Sequence, residues 1–413
     1  MKSKALLFCF VFSSMLQIVA QEKWTCYTNE DLLMNDYRIV SIFDYVDGSL
    51  WIATDRGIDV FDGKNWKKYD ENNKLMKKDV GAVLVDNKDR VWIGTGTPEG
   101  VFNYDSGSLL VYNGKDWKPF LTKDIGFKAR VVSRIYEHSS GDIWVGVQST
   151  KPGANSVLGK GAILRYTNDE WIVYKYKDIP CYSCDFVKGF AEDADGKLWL
   201  WGKEGLAYFY DEEFYSMTKK DGYLKSGQPI TATYIDNEDK FWIAGPGKVA
   251  KWDNNKWTTY TRKNGLPAID WRPHGISETP KGDMILAMTN GVYRFDGVEN
   301  WPRDKKEILS ANIHFDQKGS LWVPTYKGLE IRNGDDVTFD KDLKAAWAII
   351  TDQNNGVWAF TAKDGAKRFK DNQWTYYTEK NKLPSRKIKL AHVAENGTVW
   401  IGTDKGICKC EYE

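Results

Sequence analysis

This 413-residue chain lacks a surplus of either charge, because 58 Lys and Arg stand against 57 Asp and Glu. That balance excludes the concentrated basic field that nucleic acid or an anionic membrane surface requires. Beyond residue 20 there is no apolar run approaching the ~20 residues of a membrane-spanning helix. Histidine is scarce. The four present (His138, His274, His314 and His392) are scattered, and no catalytic triad or zinc site can be assembled from them in the sequence. Cysteine is scarce as well, with six residues in all. What remains is an ordinary globular balance of 42% hydrophobic and 28% charged residues, enough to bury a large core. The one excess is aromatic. Phe, Trp and Tyr make up 14% of the chain, with 19 Trp.

Residues 1–20 read as a secretory signal peptide. Lys2 and Lys4 precede an apolar run from Ala5 to Phe12, and Ala20 offers a small residue at the cut before Gln21. The run is too short to anchor the chain, and Phe8 is too bulky to make Cys9 a lipoprotein site. Losing the two lysines takes the formal charge from +1 to −1. Residues 21–413 are then one exported domain, periplasmic or secreted. Its cysteines are to be read as possible disulfides.

The tryptophans fall on a repeat. Gly48-Ser49-Leu50-Trp51-Ile52-Ala53-Thr54-Asp55-Arg56-Gly57-Ile58 returns around Trp92, Trp144, Trp199, Trp242, Ile285, Trp322, Trp358 and Trp400, at steps of 36 to 55 residues. Each unit holds four short strand signals. Strand A is an apolar run such as 80–85, and an Asp- and Gly-bearing turn leads to the Leu-Trp-Ile strand B. A tight turn ending in Gly leads to strand C, and a hairpin such as Asp62-Gly63 leads to strand D, which often opens with Trp. A period near forty with four strands per unit predicts an all-β propeller. The count is nine blades, with eight as the alternative because Ile285 marks a degenerate copy.

The ends fit a closed ring. Residues 22–27 read as a strand D with nothing before it, and Gly406–Cys410 as a strand C with nothing after it. The N-terminal strand is therefore expected to complete the last blade and remove a sheet edge. Pairing Trp66 with Phe61 in the first blade sets Lys68 opposite Asp59. The same register sets Cys26 opposite Cys408, predicting a disulfide worth up to roughly 4–5 kcal/mol in the entropic view. Cys410, on the same face, is the alternative partner.

The pattern Asp-x-x-Gly-x-Leu-Trp-Ile-Gly-Thr-x-x-Gly-Ile, best copied at Trp51, Trp92 and Trp400, resembles the two-component regulator propeller repeat over essentially all of 21–413. The resemblance implies a relative of the periplasmic sensor propellers of Bacteroidetes-type hybrid two-component systems. No kinase or DNA-binding segment follows the repeats, so the expectation is a free-standing exported propeller that binds a ligand.

Function is sought where the repeat breaks. Two neighbouring units have long B–C connections, one carrying Phe102 and Tyr104 and the other spanning 148–156. Together they predict a raised lip with aromatic rings for stacking. Trp201 replaces the usual small residue after strand B, and Trp271, Arg272 and His274 lie where a D–A loop enters the innermost strand. Trp, Arg and His at a channel mouth suit a sugar or an anionic group. Each of them also serves for packing against the next blade. Cys181 and Cys184 lie in a D–A loop and read as a small stapling disulfide, since no helix is present to make a redox motif. One acid per A–B turn is what turn geometry asks for, so no metal and no cofactor is expected. The sequence thus predicts a ligand-binding or sensor-like module for a glycan, a peptide or another small molecule. The alternatives are a glycan-active hydrolase or lyase, for which no carboxylate pair stands out, and a scaffold for another exported or membrane protein.

Overall fold

In the computed structural model, the described residues are 22–28, 39–54, 57–69, 80–96, 108–121, 131–149, 160–175, 187–202, 205–217, 229–264, 273–279, 281–288, 291–295, 303–305, 313–325, 327–333, 336–344, 346–394 and 396–412, with the single residues 125, 129, 179 and 266. They form nine four-stranded antiparallel sheets. Successive sheets touch or share a buried cluster all the way round, so they are blades of one β-propeller. Eight blades are built from consecutive strands, the first from Ile39–Asp44, Leu50–Thr54, Gly57–Phe61 and Trp66–Tyr69. The degenerate copy at Ile285 is a full blade, the sixth. Among the described residues no helix is long and apolar enough to cross a membrane.

The ninth blade takes strands A to C from Ile388–Val393, Val399–Thr403 and Gly406–Tyr412, and its outer strand is Glu22–Thr28. The register is the one the repeat predicts. Lys68 lies opposite Asp59 in blade 1, and Cys26 lies opposite Cys408 in blade 9. A disulfide joins Cys26 to Cys408 across 382 residues of sequence. Cys410 is a buried free thiol, its pKa pushed up to about 12 by burial. Glu22 completes the docking by accepting hydrogen bonds from the Tyr377 hydroxyl (2.8 Å) and Arg368 Nη1 (3.3 Å) of blade 8.

The tryptophan of strand B explains why the repeat folds this way. Eight such indoles, each at most 5% exposed, lean on an aromatic ring of the following blade. Trp92 meets Tyr166 at 5.3 Å, Trp144 meets Phe209 at 4.7 Å, and Trp322 meets Phe369 at 5.5 Å. The partner ring sits at one fixed place on strand C, as with Tyr166 opposite Trp171, Phe209 opposite Phe214 and Phe369 opposite Trp374, except that Trp358 meets Trp24 on the outer strand of blade 9. In five blades the indole nitrogen is satisfied by a turn acid of its own blade. Asp86, Asp193, Asp236, Asp316 and Asp352 each accept from the Trp six residues on, at 2.7–2.9 Å. The turn acid is thus shared between the turn's backbone N–H groups and the indole, whereas in blade 3, where His138 takes the acid's place, the buried Trp144 Nε1 has no partner. The glycine after Trp-Ile is a close-approach residue. At Gly146 a Cβ would lie 2.7 Å from the Val187 side chain of blade 4.

Candidate functional site

The strands divide the ring into two faces. One carries the B–C and D–A connections, the other the A–B and C–D turns. On the first face seven blades turn from strand B to strand C within a few residues. Blade 2 instead runs from Thr95 to Ser108, and blade 3 from Ser149 to Lys160. Blades 2 and 3 are neighbours, and their inner strands pack together. Blade 3 also stands taller. Gln148 pairs with Gly161 and Ser149 with Lys160, two rungs past the point where most blades turn. The connections themselves, with Phe102 and Tyr104, lie outside the described residues, as do Trp271, Arg272, Cys181 and Cys184.

Trp201 ends strand B of blade 4, opposite Gly189 on strand A. Its half-buried ring covers Gly189 so closely that a Cβ there would collide with it, and lies 6.2 Å from Phe241 of blade 5. Trp201 therefore packs between blades 4 and 5 on the same face as the long connections. His274 sits on strand A of blade 6 at a register shift between Pro273 and Gly275. The same shift occurs near the start of strand A in blades 1, 2, 3, 8 and 9. Such a bulge re-aims one residue and tends to occur beside functional sites. This recurrent irregularity is invisible in the apolar pattern of strand A, because one extra residue barely disturbs a short run.

Three cations at the strand-A starts escaped the sequence reading. Arg134 of blade 3 and Lys389 of blade 9 are exposed, and Lys188 precedes strand A of blade 4. Arg134 Nε donates to the Lys188 carbonyl at 2.8 Å, which ties blades 3 and 4 together here. Their only sequence signal is position, within the first few residues of strand A or just before it.

On the opposite face the acids and histidines serve the scaffold. Glu137, Glu192 and Glu278, each ending a strand A, accept from the backbone N–H groups of Asn87, Ser139 and Asn237 in the preceding blade. His138 takes the turn-acid position in blade 3 and bonds Ser140 Oγ (2.8 Å) and the Gly196 carbonyl (3.1 Å). His314 reaches Thr351 of blade 8 at 2.6 Å, and burial lowers its pKa against the weaker pull of Asp316. His392 lies 3.0 Å from Asp44 of blade 1, beside a recess of about 450 Å³ lined by Phe43, Val83 and Leu84. These histidines belong to three different interfaces, between blades 3 and 4, 7 and 8, and 9 and 1. Among the described residues no group of three His, Cys, Asp or Glu side chains is arranged to hold a metal ion.

No protein-family model and no curated protein matches the sequence. Several solved structures are similar at low identity. One is the extracellular domain of BT4673 from B. thetaiotaomicron, described as a one-component or hybrid two-component system. It is 14% identical, with 90% of this chain and 51% of that one covered, at a TM-score of 0.45. Another is the extracellular domain of the hybrid two-component system BT3049 from the same organism, 17% identical over 90% of this chain and 56% of that one, at 0.41. This chain therefore spans about half the length of those domains. A streptogramin B lyase is 14% identical over 94% of this chain and 98% of that one, at 0.42.

Proposed function

We propose that the mature protein is an exported, sensor-like ligand-binding propeller of the two-component regulator type. In this reading residues 1–20 are removed on export, and the site lies on the face of the B–C and D–A connections. The ligand is a carbohydrate or a peptide. The observation that carries the reading is the pairing of the two long B–C connections on neighbouring blades, with the hairpin of blade 3 extended beyond the ring. A lip on one side of a channel mouth makes a concave wall, which a flat propeller face lacks. Phe102 and Tyr104 supply stacking surfaces there, Arg272 a forked donor, and Arg134 and Lys389 positive charge for an anionic substituent.

A thermal-shift screen of the 21–413 protein against host and microbial glycans and short peptides tests this. A ligand at a hundred times its dissociation constant adds about 2.7 kcal/mol of stability. The reading expects a hit that Tyr104→Ala and Arg272→Ala each weaken. A hit that both variants retain would move the site elsewhere, and release of product on long incubation would replace binding by glycan-active catalysis.

A further inference from the structure

The devices that join the blades fail together at one interface, between blades 6 and 7. Where eight blades present an indole, blade 6 presents Ile285. The strand-C position that carries an aromatic ring in blades 1 to 6 and in blade 8 is Arg332 in blade 7, opposite Val337. The latch is missing as well. The Glu that latches blades 3, 4 and 6 to their predecessors is Phe315 here, and the sequence position equivalent to Asn87 is Pro280, which has no backbone N–H.

The result is a groove of about 440 Å³, within the roughly 300–1,000 Å³ of small-molecule sites. Ile285, Val292, Leu321 and Phe315 form an apolar floor. Among the described residues, the charged side chains lining it are Lys281, Arg294, Lys318 and Arg332, with no carboxylate. The nearby acids are engaged, since Asp283 accepts from Arg294 and Glu330 accepts from Arg332 Nε at 2.6 Å. Lys281 and Lys318 stand exposed on the two A–B turns, one on each bank, while Arg332 is 8% exposed at the inner end. An apolar trough between cations complements a molecule with an apolar body and a negative head.

We propose that the groove between blades 6 and 7 binds a small amphipathic organic anion, with its apolar body on Ile285, Leu321 and Phe315 and its anionic group between Lys281 and Lys318. This site is on the face opposite the lip and does not depend on the function assigned there.

The test is fluorescence titration of the 21–413 protein with 1-anilinonaphthalene-8-sulfonate, whose fused ring and sulfonate have this chemistry. The expected result is saturable binding to one site. Reversing both rim charges in Lys281→Glu/Lys318→Glu is expected to weaken binding at least about tenfold. The uncharged N-phenyl-1-naphthylamine is expected to bind weaker by a similar factor. Ile285→Trp, which restores the indole of the repeat, fills the groove and removes the signal. Should that variant fail to fold, the exposed lysine pair still decides. No saturable binding by the wild type, equal affinity of the charge-reversed variant, or equal affinity for the neutral probe would each overturn the proposal.

Discussion

The Asp352 carboxylate shows how much a single side chain carries in this ring. Its Oδ2 accepts from Trp358 Nε1 (2.8 Å), Arg368 Nε (2.7 Å) and the Tyr412 hydroxyl (2.6 Å), and its Oδ1 from the Gly356 and Asn354 N–H groups (2.9 Å each). Tyr412 belongs to blade 9, so one carboxylate links a turn, an indole and the next blade. Burial alone would raise its pKa. The Arg368 and Tyr412 hydrogen bonds outweigh burial and hold it below the ordinary value of 3.8. A carboxyl depressed in the folded state contributes stability that is present above its unfolded pKa and lost as pH falls through the folded one. Asp352→Asn is therefore expected to cost about 3–5 kcal/mol at pH 7, the loss typical of breaking a buried pair. Its stability should also fall less steeply than that of the wild type below about pH 4. Urea unfolding at pH 7, 5 and 3 checks both the size and the slope.

At the scale of the blade, the sequence pattern reached far. Strand order, the closing strand and the Cys26–Cys408 register could all be read because each blade repeats a local rule: an indole, a glycine and a turn acid at fixed offsets. Two things at this scale were not legible. The bulge near the start of strand A leaves no compositional mark, and several C–D hairpins use paired positive-φ residues such as Asn254-Asn255 and Asp371-Asn372 instead of Asp-Gly. Asn and Asp tolerate that conformation, so the turn is made without the expected glycine. The candidate site was legible only as departure from the repeat, at the long connections of blades 2 and 3. The positive strand-A starts and the blade 6–7 groove depend on which residues meet across blades, which no single repeat records. The close approach at Gly146 gives the element-scale prediction. Gly146→Ala would press a methyl group into Val187, and such overpacking costs about 1–3 kcal/mol. Thermal unfolding is the check, and an unchanged midpoint would mean that blades 3 and 4 are not packed at that distance.

Over the whole molecule, blade 9 is the place where the two ends of the described chain meet. Its outer strand is held by seven cross-strand pairs, by the disulfide and by Glu22 docking on blade 8. A link closing so long a loop contributes about 4–5 kcal/mol on the entropic account. Cys26→Ser/Cys408→Ser should lose about that much, and reduction of the wild type should reproduce the loss while leaving the variant unaffected. Denaturant unfolding with and without dithiothreitol measures it. Equal stability of the two proteins would show that the strand pairing alone closes the ring.

The ring is a scaffold, and on this account its recognition face is set by the departure of blades 2 and 3 from the repeat. The measurement that bears most directly on that claim replaces residues 97–107 and 150–159 with two-residue turns like those of the other blades, then repeats the glycan and peptide thermal-shift screen. With the described strands left intact, the trimmed ring should unfold close to the wild-type temperature and give no ligand-induced shift. A trimmed ring that still shifts with the same ligand would contradict the account.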